Sequence, residues 1–427
     1  TRVLASVVCV IPIYMIGLLA SYLSTRTVVV LFNGASPGTY DYFFHLALGP
    51  RDLLYSGIKA VVFAIVVALV HCGYGFFASG GPAGVGQAAG RALRTAILAI
   101  GVLDVLEPAP GRVLPSCPEI ANGCGGCDLA HASHAAQREM KAAMVADSLR
   151  RLGRLADLPD IDPGPDLATT GFRTTIRAAV VDGRAGLRHR RSHDVVTVAS
   201  CEVAHPVVEG MLVNGRYGDA DEVTIRVGAD TGEQAVFVGG SEPDEGTVIH
   251  EEIAGRRFRI SPRSFFQTRA DGAAALVSVV DEAIGPDPTG TLVDLCSGVG
   301  LFAATIGDRF DRVVTVESNR SSVADARVNL AHLGDRVAVR SSTFERWTPE
   351  PADVVIADPS RAGLGRAGVA NVAATGAPLV VLISCDAGSL GRDAGLLTAA
   401  GYRLDAITLV DLFPNTAHVE VVSTYRR

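Results

Sequence analysis

Val3 to Leu23 is a run of 21 residues without a charged side chain, and Ala60 to Ala78 is a second run of 19 in which His71 is the only charged or imidazole side chain. Each is long enough to cross a bilayer core of about 30 Å. Backbone in lipid must satisfy its own hydrogen bonds, so such runs have little choice but helix. A buried helix pair in a large soluble protein is the alternative, but two such runs so close together are rare in soluble chains. Nothing comparable follows residue 106. The chain is 48% hydrophobic and 19% charged, against about 25% charged in an average soluble protein, and the first quarter carries nearly all of that skew. Between the two runs, residues 32–53 hold Gly, Pro and interfacial aromatics and read as a loop plus a headgroup-level helix. Residues 78–96 read as a Gly-rich loop carrying Arg91 and Arg94. A third apolar run is cut short: twelve residues separate Arg94 from Glu107, and Asp104 is among them. The expectation is two spanning helices, a third run held at the cytoplasmic interface, and everything after it inside the cell. With no initiator Met, the chain reads as a piece of a longer one.

Three stretches carry a resemblance: "VCVIPIYMIGLLASYLSTR", "GIKAVVFAIVVALVHCGYGFFASGGPAGVGQAAGRAL" and "AILAIGVLDVL". Over about residues 1–106 the chain resembles the C-terminal part of MlaE/YrbE-type permeases of lipid-transport ABC systems. This implies a truncated permease-like membrane segment. As a transporter it would need upstream helices, a transporter ATPase and MCE-type proteins. That is the alternative function for the chain.

The remaining length fits one or two soluble domains. The net charge of −7 excludes a chain that is basic throughout, though a local basic face stays open. Eight cysteines are too few and too clustered for a secreted disulfide scaffold. Three fall in "SCPEIANGCGGCDLAH", spaced Cys117-x6-Cys124-x2-Cys127. Gly125 and Gly126 let the backbone wrap a metal centre closely. A fourth ligand could come from His131, His134 or Cys201. Spacing alone leaves a structural zinc and a [4Fe–4S] cluster about equally open.

After the cluster, Ala136, Met140, Met144, Leu149 and Leu152 recur at helical spacing and read as a core face. "FRTTIRAAVVDGRAGLRHRRSHDVVTV" alternates around Asp182-Gly183, a hairpin signal. Its polar positions hold Arg173, Arg177, Arg184, Arg188, Arg190 and Arg191, as expected of either a solvated face or a phosphate-binding one.

"TLVDLCSGVGLFAATIG" reads as strand, Gly-rich turn and helix, and "RVVTVESNRSSVADARVNL" as strand, acidic tip and helix. Glu317 ends the second strand, where an acidic residue binds ribose hydroxyls in doubly wound folds. The turn lacks GxGxxG, which favours S-adenosylmethionine over a dinucleotide. "DVVIADPS", "PLVVLISCD" and "HVEVVSTY" are expected to be further strands, each carrying a polar residue at its end: Asp358, Cys385 and Glu420. Carboxyl ends of strands in open α/β sheets form the ligand crevice. Cys385, a strand-end thiol sharing an edge with two carboxylates, is a candidate nucleophile. Cys296 reads as packing against the cofactor.

With "CPEIANGCGGCDLAHASHAAQREMK", "SPRSFFQTR", "DLCSGVGLFA", "VVTVE", "ADPSRAGL", "ISCDAGSLGRD" and "DLFPNTAHVEVV" in this order, residues 107–427 resemble the RNA 5-methyluridine methyltransferases, the TrmA/RlmD-type class I enzymes. The resemblance implies methyl transfer from S-adenosylmethionine to C5 of a uridine in RNA, ribosomal RNA favoured over transfer RNA, through a covalent cysteine–C6 adduct. It assigns a [4Fe–4S] cluster to Cys117, Cys124, Cys127 and Cys201. It puts cofactor contacts at Gln267, Cys296, Leu301, Glu317 and Asp358, the nucleophile at Cys385 and the base at Glu420. The cluster is expected to fold the RNA-binding region. Family members open with a small β-barrel where the permease-like segment stands here, and they often carry an aromatic at position 296 and Asn at 301. The expected organisation is a transmembrane fragment over 1–106, an iron–sulfur segment over 107–155, a central β-rich region with a basic face over 156–260, and a Rossmann-like doubly wound methyltransferase domain over 261–427.

Overall fold

The computed structural model describes residues 2–31, 50–76, 88–96, 111–190, 192–238 and 247–427. The chain divides into two compact units, Thr1–Pro110 and Gly111–Arg427.

In the first unit, α1 (Arg2–Leu31) packs against α2 (Pro50–Phe76). Gly57 brings the two together beside the ring of Tyr14. Among the described residues one helical stretch, Leu54–Phe76, is long and apolar enough to cross a membrane; α1 adds a shorter apolar stretch, Val8–Ser24. Residues 88–96 form a third helix, α3. Arg91 and Arg94 therefore sit on the exposed side of a helix and not in a loop. Ala88, Ala92 and Ala96, four residues apart, make its buried stripe, and the Thr95 Oγ1 lies 3.1 Å from the Tyr74 hydroxyl. Most of the loop between α1 and α2, the Gly-rich segment 78–87 and the third apolar run from residue 97 lie outside the described residues.

The second unit is built on an eight-stranded sheet with order β1-β14-β15-β13-β12-β9-β10-β11. The strands are β1 (Ile161–Asp162), β9 (Thr291–Leu295), β10 (Arg312–Glu317), β11 (Val337–Ser341), β12 (Val354–Ala357), β13 (Leu379–Ser384), β14 (Arg403–Leu409) and β15 (Val421–Arg426). β9, β12 and β13 are buried almost throughout, as expected for parallel strands covered on both faces. Leu276 and Val280 of α6 (Ala270–Ile284) and Phe302 of α7 (Leu301–Ile306) fill one face. Val145 and Leu149 of α4 (His134–Arg151), Val369 of α8 (Gly365–Ala374) and Leu390 and Leu397 of α9 (Ala387–Ala399) fill the other. Sequence order reverses between β9 and β12, which places a crevice at their carboxyl ends. β15 alone runs antiparallel to its neighbours, pairing Val421 with Ser384 and with Leu409. Glu420 therefore precedes its strand, where the sequence reading had treated it as a strand end. Reversal of that strand is what returns it to the same edge as Asp358 and Cys385.

A second, antiparallel sheet has order β4-β3-β2-β5-β6: β2 (Thr175–Val181), β3 (Arg184–Arg188), β4 (Val195–Val196), β5 (Glu222–Val227) and β6 (Gln234–Val238). Asp182 and Gly183, at φ 50° and 71°, make the two-residue turn that the Asp-Gly pair signals. α5 (Pro206–Asn214) covers the sheet, and Cys124 and Cys201 join its core. The hairpin β7 (Ile249–Ile253) and β8 (Arg256–Ile260) buries Ile249 and Phe258 in the core of the large sheet. β1 pairs with β14. The divisions expected at 155 and 260 thus cut through one compact unit.

The core face of α4 also differs from its apolar pattern. Met140 and Met144 are exposed, whereas Gln137, Lys141, Val145, Ser148 and Leu149 are buried. Burial of Gln137 and Lys141 follows from polar partners distant in sequence, which apolar periodicity does not register.

Candidate active site

β12 delivers Asp358, β13 delivers Cys385 and the start of β15 delivers Glu420 to one edge. Glu420 is buried, and desolvation together with the neighbouring Asp358 carboxylate pushes its carboxyl well above the usual range. Asp358 is raised as well, by desolvation. Two carboxyls this close to each other in a dry site cannot both ionise easily. Burial, then Glu420 and Asp358, push the Cys385 thiol up to about 11, while Arg361 acts in the opposite sense. Cys385 is half-buried.

Beside this edge a narrow cleft is lined by Gln267, Cys296, Ser297, Leu301, Phe302 and Asp358. Gln267 Nε2 donates to Asp358 at 3.4 Å. The turn after β9 is tightly wound: Cys296, Gly298 and Gly300 have φ of 60°, 55° and 91°. Glycine meets that requirement freely and cysteine does so at a cost. Glu317, at the tip of β10, accepts from the Gly298 and Asn319 amides at 2.9 and 2.6 Å. Beneath the turn lies Asp294, fully buried and pushed up to about 8 by burial, with Oδ1 unpartnered; the Ser297 hydroxyl is also unpartnered. A polar ligand in the cleft would meet the unpartnered Ser297 hydroxyl together with Gln267 and Asp358, so the residues present fit a nucleoside-bearing cofactor. Asp294 opens the D-x-C-x-G-x-G string, but the sequence reading gave it no role; Arg361, in "ADPSRAGL", was likewise passed over.

Cys117, Cys124, Cys127 and Cys201 all line one cavity of about 370 Å³. Burial, then the neighbouring Cys201, Cys124 and Cys117, push the Cys127 thiol up to about 12. Arg173 borders the cavity, with Cys201 and Cys127 near its guanidinium. Among the described residues, no three His, Cys, Asp or Glu side chains are grouped closely enough to hold a metal ion as they stand. His134 borders the cavity and His131 does not. Arg173 and Arg177 both border the cysteine cavity. Arg177 is ion-paired to Glu222, Arg188 donates to the His193 carbonyl at 2.5 Å, and Arg190 lies 4.0 Å from Asp128. Arg184 is exposed, and Arg191 lies outside the described residues.

An uncharacterised RNA methyltransferase of Streptomyces coelicolor is 32% identical over 370 residues, 75% of this chain and 80% of the relative. The chain belongs to the RNA methyltransferase family. It is an enzyme of the S-adenosylmethionine-dependent class, and its cofactor is S-adenosylmethionine. An RNA methyltransferase of Corynebacterium efficiens is 33% identical over 352 residues, 76% of this chain and 83% of that one. The 23S rRNA (uracil(1939)-C(5))-methyltransferase RlmD of Alkalilimnicola ehrlichii is 27% identical over 395 residues, 78% of this chain and 87% of that enzyme. The fold is that of the Pyrococcus abyssi tRNA (uracil-54, C5)-methyltransferase solved with S-adenosyl-L-homocysteine. That match has a TM-score of 0.59 at 24% identity and covers 75% of this methyltransferase and 87% of the other chain. A family model described as methyltransferase small domain matches residues 256–370, and one described as Permease MlaE matches residues 1–107.

Proposed function

We propose that this methyltransferase modifies C5 of a uracil in RNA through a covalent adduct at C6. The observation that carries this is the meeting of a half-buried thiol, Cys385, with Glu420 and Asp358 at the edge beside the Gln267–Asp358 cleft. Uracil C5 is a poor nucleophile. Addition of the Cys385 thiolate to C6 makes the ring an enolate whose C5 bonds to an electrophilic methyl group. S-adenosylmethionine supplies that methyl when bound. Glu420 then takes the C5 proton, the C6–S bond breaks, and Cys385 leaves as thiolate. Thiolate attack is reasonable chemistry for cysteine once its charge is stabilised, and proton removal suits a carboxylate positioned in the site. In its raised state Glu420 must first lose its own proton, so release quickens as pH rises. Gln267, Cys296, Leu301, Glu317 and Asp358 are the proposed cofactor contacts, with Asp294 beneath them. A uridine in structured RNA must be unstacked to enter. The 23S rRNA substrate in the name of the Alkalilimnicola relative supports ribosomal RNA over transfer RNA.

Four thiols around one cavity suit an iron–sulfur cluster better than a mixed Cys/His zinc site. Cys117, Cys124, Cys127 and Cys201 would hold it after small side-chain movements. The likeness of residues 1–107 to Permease MlaE and the apolar Leu54–Phe76 support anchoring in the plasma membrane, with the catalytic unit in the cytoplasm. Transfer of labelled methyl from S-adenosylmethionine into RNA, followed by mapping of 5-methyluridine, tests the reading. Labelled product elsewhere than uracil C5, or none, would overturn it.

A further inference from the structure

The segment 410–420 joins β14 to β15 and ends on Glu420. Its neck is closed by the Val410 amide donating to the Glu420 carbonyl at 2.8 Å. Among the described residues, no strand of the sheet hydrogen-bonds its tip, residues 413–416. The buried polar face of α4 does so instead. Gln137 and Asn415 form a reciprocal pair: Gln137 Nε2 donates to Asn415 Oδ1 at 3.0 Å, and the Asn415 amide donates to Gln137 Oε1 at 2.6 Å. Lys141 Nζ donates to Asp411 Oδ1 at 2.6 Å and to the Phe413 carbonyl at 2.9 Å. The Leu129 amide, two residues beyond Cys127, donates to the Asn415 carbonyl at 2.8 Å. Asn415 adopts φ 65°, a conformation asparagine tolerates better than most residues.

This tip faces two ways. Asn415 lines the cysteine cavity. Three residues on, His418 packs edge-on against Phe413 with ring centroids 5.9 Å apart and lies in the field of Arg361, which also faces Cys385. One short segment therefore runs from the cavity wall at Asn415 to Glu420 at the reaction edge. Gln137 also donates to the Leu129 and Ala132 carbonyls, so the same amide grips the cysteine-bearing turn and the tip of the base-bearing segment.

We propose that Gln137 and Asn415 are positioning residues that transmit the state of the cysteine cavity to Glu420 through the wall 413–418. The cavity then serves the proton-removal step, beyond any part it plays in folding the RNA-binding region. The inference rests on the covalent reading above for its kinetic consequence, but not for its structural one.

The test compares Asn415→Gly, which keeps the left-handed backbone and deletes the acceptor, with Asn415→Asp, which restores an acceptor. Full-length protein in detergent is assayed as prepared anaerobically and after chelation of iron. Hydrogen exchange of 413–418 should rise on iron removal in the parent. It should already be high, and insensitive to iron, in Asn415→Gly. On denaturing gels Asn415→Gly should hold more protein–RNA adduct and turn over about fivefold more slowly, the loss of its one side-chain hydrogen bond of about 1 kcal/mol. RNA affinity and iron content should be unchanged, and Asn415→Asp should recover most of the rate. Unaltered exchange at 413–418 on iron removal overturns the proposal, and so does an Asn415→Gly defect confined to RNA affinity. Glu420→Gln serves as control. If it too gives no adduct, the covalent reading fails, while the exchange result still decides the coupling.

Discussion

The reaction edge and the cysteine cavity lie in the same compact unit, yet they are built in opposite ways. At the edge, Asp358, Cys385 and Glu420 each sit one residue from a buried strand, and pairing such as Ser384 with Val421 fixes them. At the cavity, Cys117, Cys124 and Cys127 sit in a turn-rich segment outside the strands and α-helices, Cys124 bridged to His189, and of the four cysteines Cys124 and Cys201 reach into a packed core. Strand ends present a finished arrangement without a ligand. Turns present the right donors around a space and leave the last movement to whatever fills it, because metal binding and local folding are coupled.

The largest expected effect falls on the edge. Cys385→Ala should lower methyl transfer by roughly 10⁴-fold or more, as loss of a nucleophile does, while calorimetry shows S-adenosylmethionine still binding. Retained turnover would remove the covalent step. Glu420→Gln should slow turnover by about 10²–10⁴-fold, the usual range for a general base, with adduct accumulating. In the parent enzyme turnover should fall as pH is lowered, since burial and Asp358 raise Glu420 and hold it protonated. A rate independent of pH would point to another base.

Replacing Cys127 by Ser tests the other side of the comparison. The iron–sulfur absorbance should vanish and the protein should lose stability, while calorimetry still shows cofactor binding in the cleft. One zinc and no iron in anaerobically prepared parent protein would instead favour the zinc alternative.

A smaller effect separates the two sites by pH. Asp294 stands at about 8 in the folded chain against about 4 unfolded. The folded state therefore binds the extra proton between these values, and stability falls as pH rises through that window. Without cofactor, the melting temperature should be a few degrees higher near pH 6 than near pH 9. Asp294→Asn should flatten that slope, and an unchanged slope would assign it to Asp358 and Glu420.

The same contrast explains what the sequence made legible. The doubly wound sheet was readable because its strands are continuous apolar runs followed by turn residues. Cys385 and Asp358 were readable because each follows such a run. Glu420 reached the expected edge for a different reason, the reversal of β15, which no local pattern announces. Gln137 and Lys141 were hidden because their partners, Asn415 and Asp411, lie far along the chain. That Arg173 borders the cysteine cavity was hidden because it lies before β2, on an isolated bridge to Ala204 that no local pattern announces.

Among the described residues the first unit contributes no side chain to either site, and taking the protein out of lipid should change catalysis least. Detergent-solubilised and membrane-embedded protein should methylate short RNA at rates within about twofold, within the range of small perturbations. Where the catalytic unit resides is a separate matter that length decides. The twelve residues between Arg94 and Glu107 would span about 18 Å as helix, short of a core of about 30 Å. Placing Asp104 centrally would cost about 2.5–3.5 kcal/mol more. The exposed Arg91 and Arg94 of α3 favour the cytoplasmic side under the positive-inside rule. Protease added outside intact spheroplasts should then leave residues 111–427 whole and digest them only after lysis. Digestion before lysis would mean that the third apolar run does cross, and would put the methyltransferase on the side of the membrane that holds neither RNA nor S-adenosylmethionine.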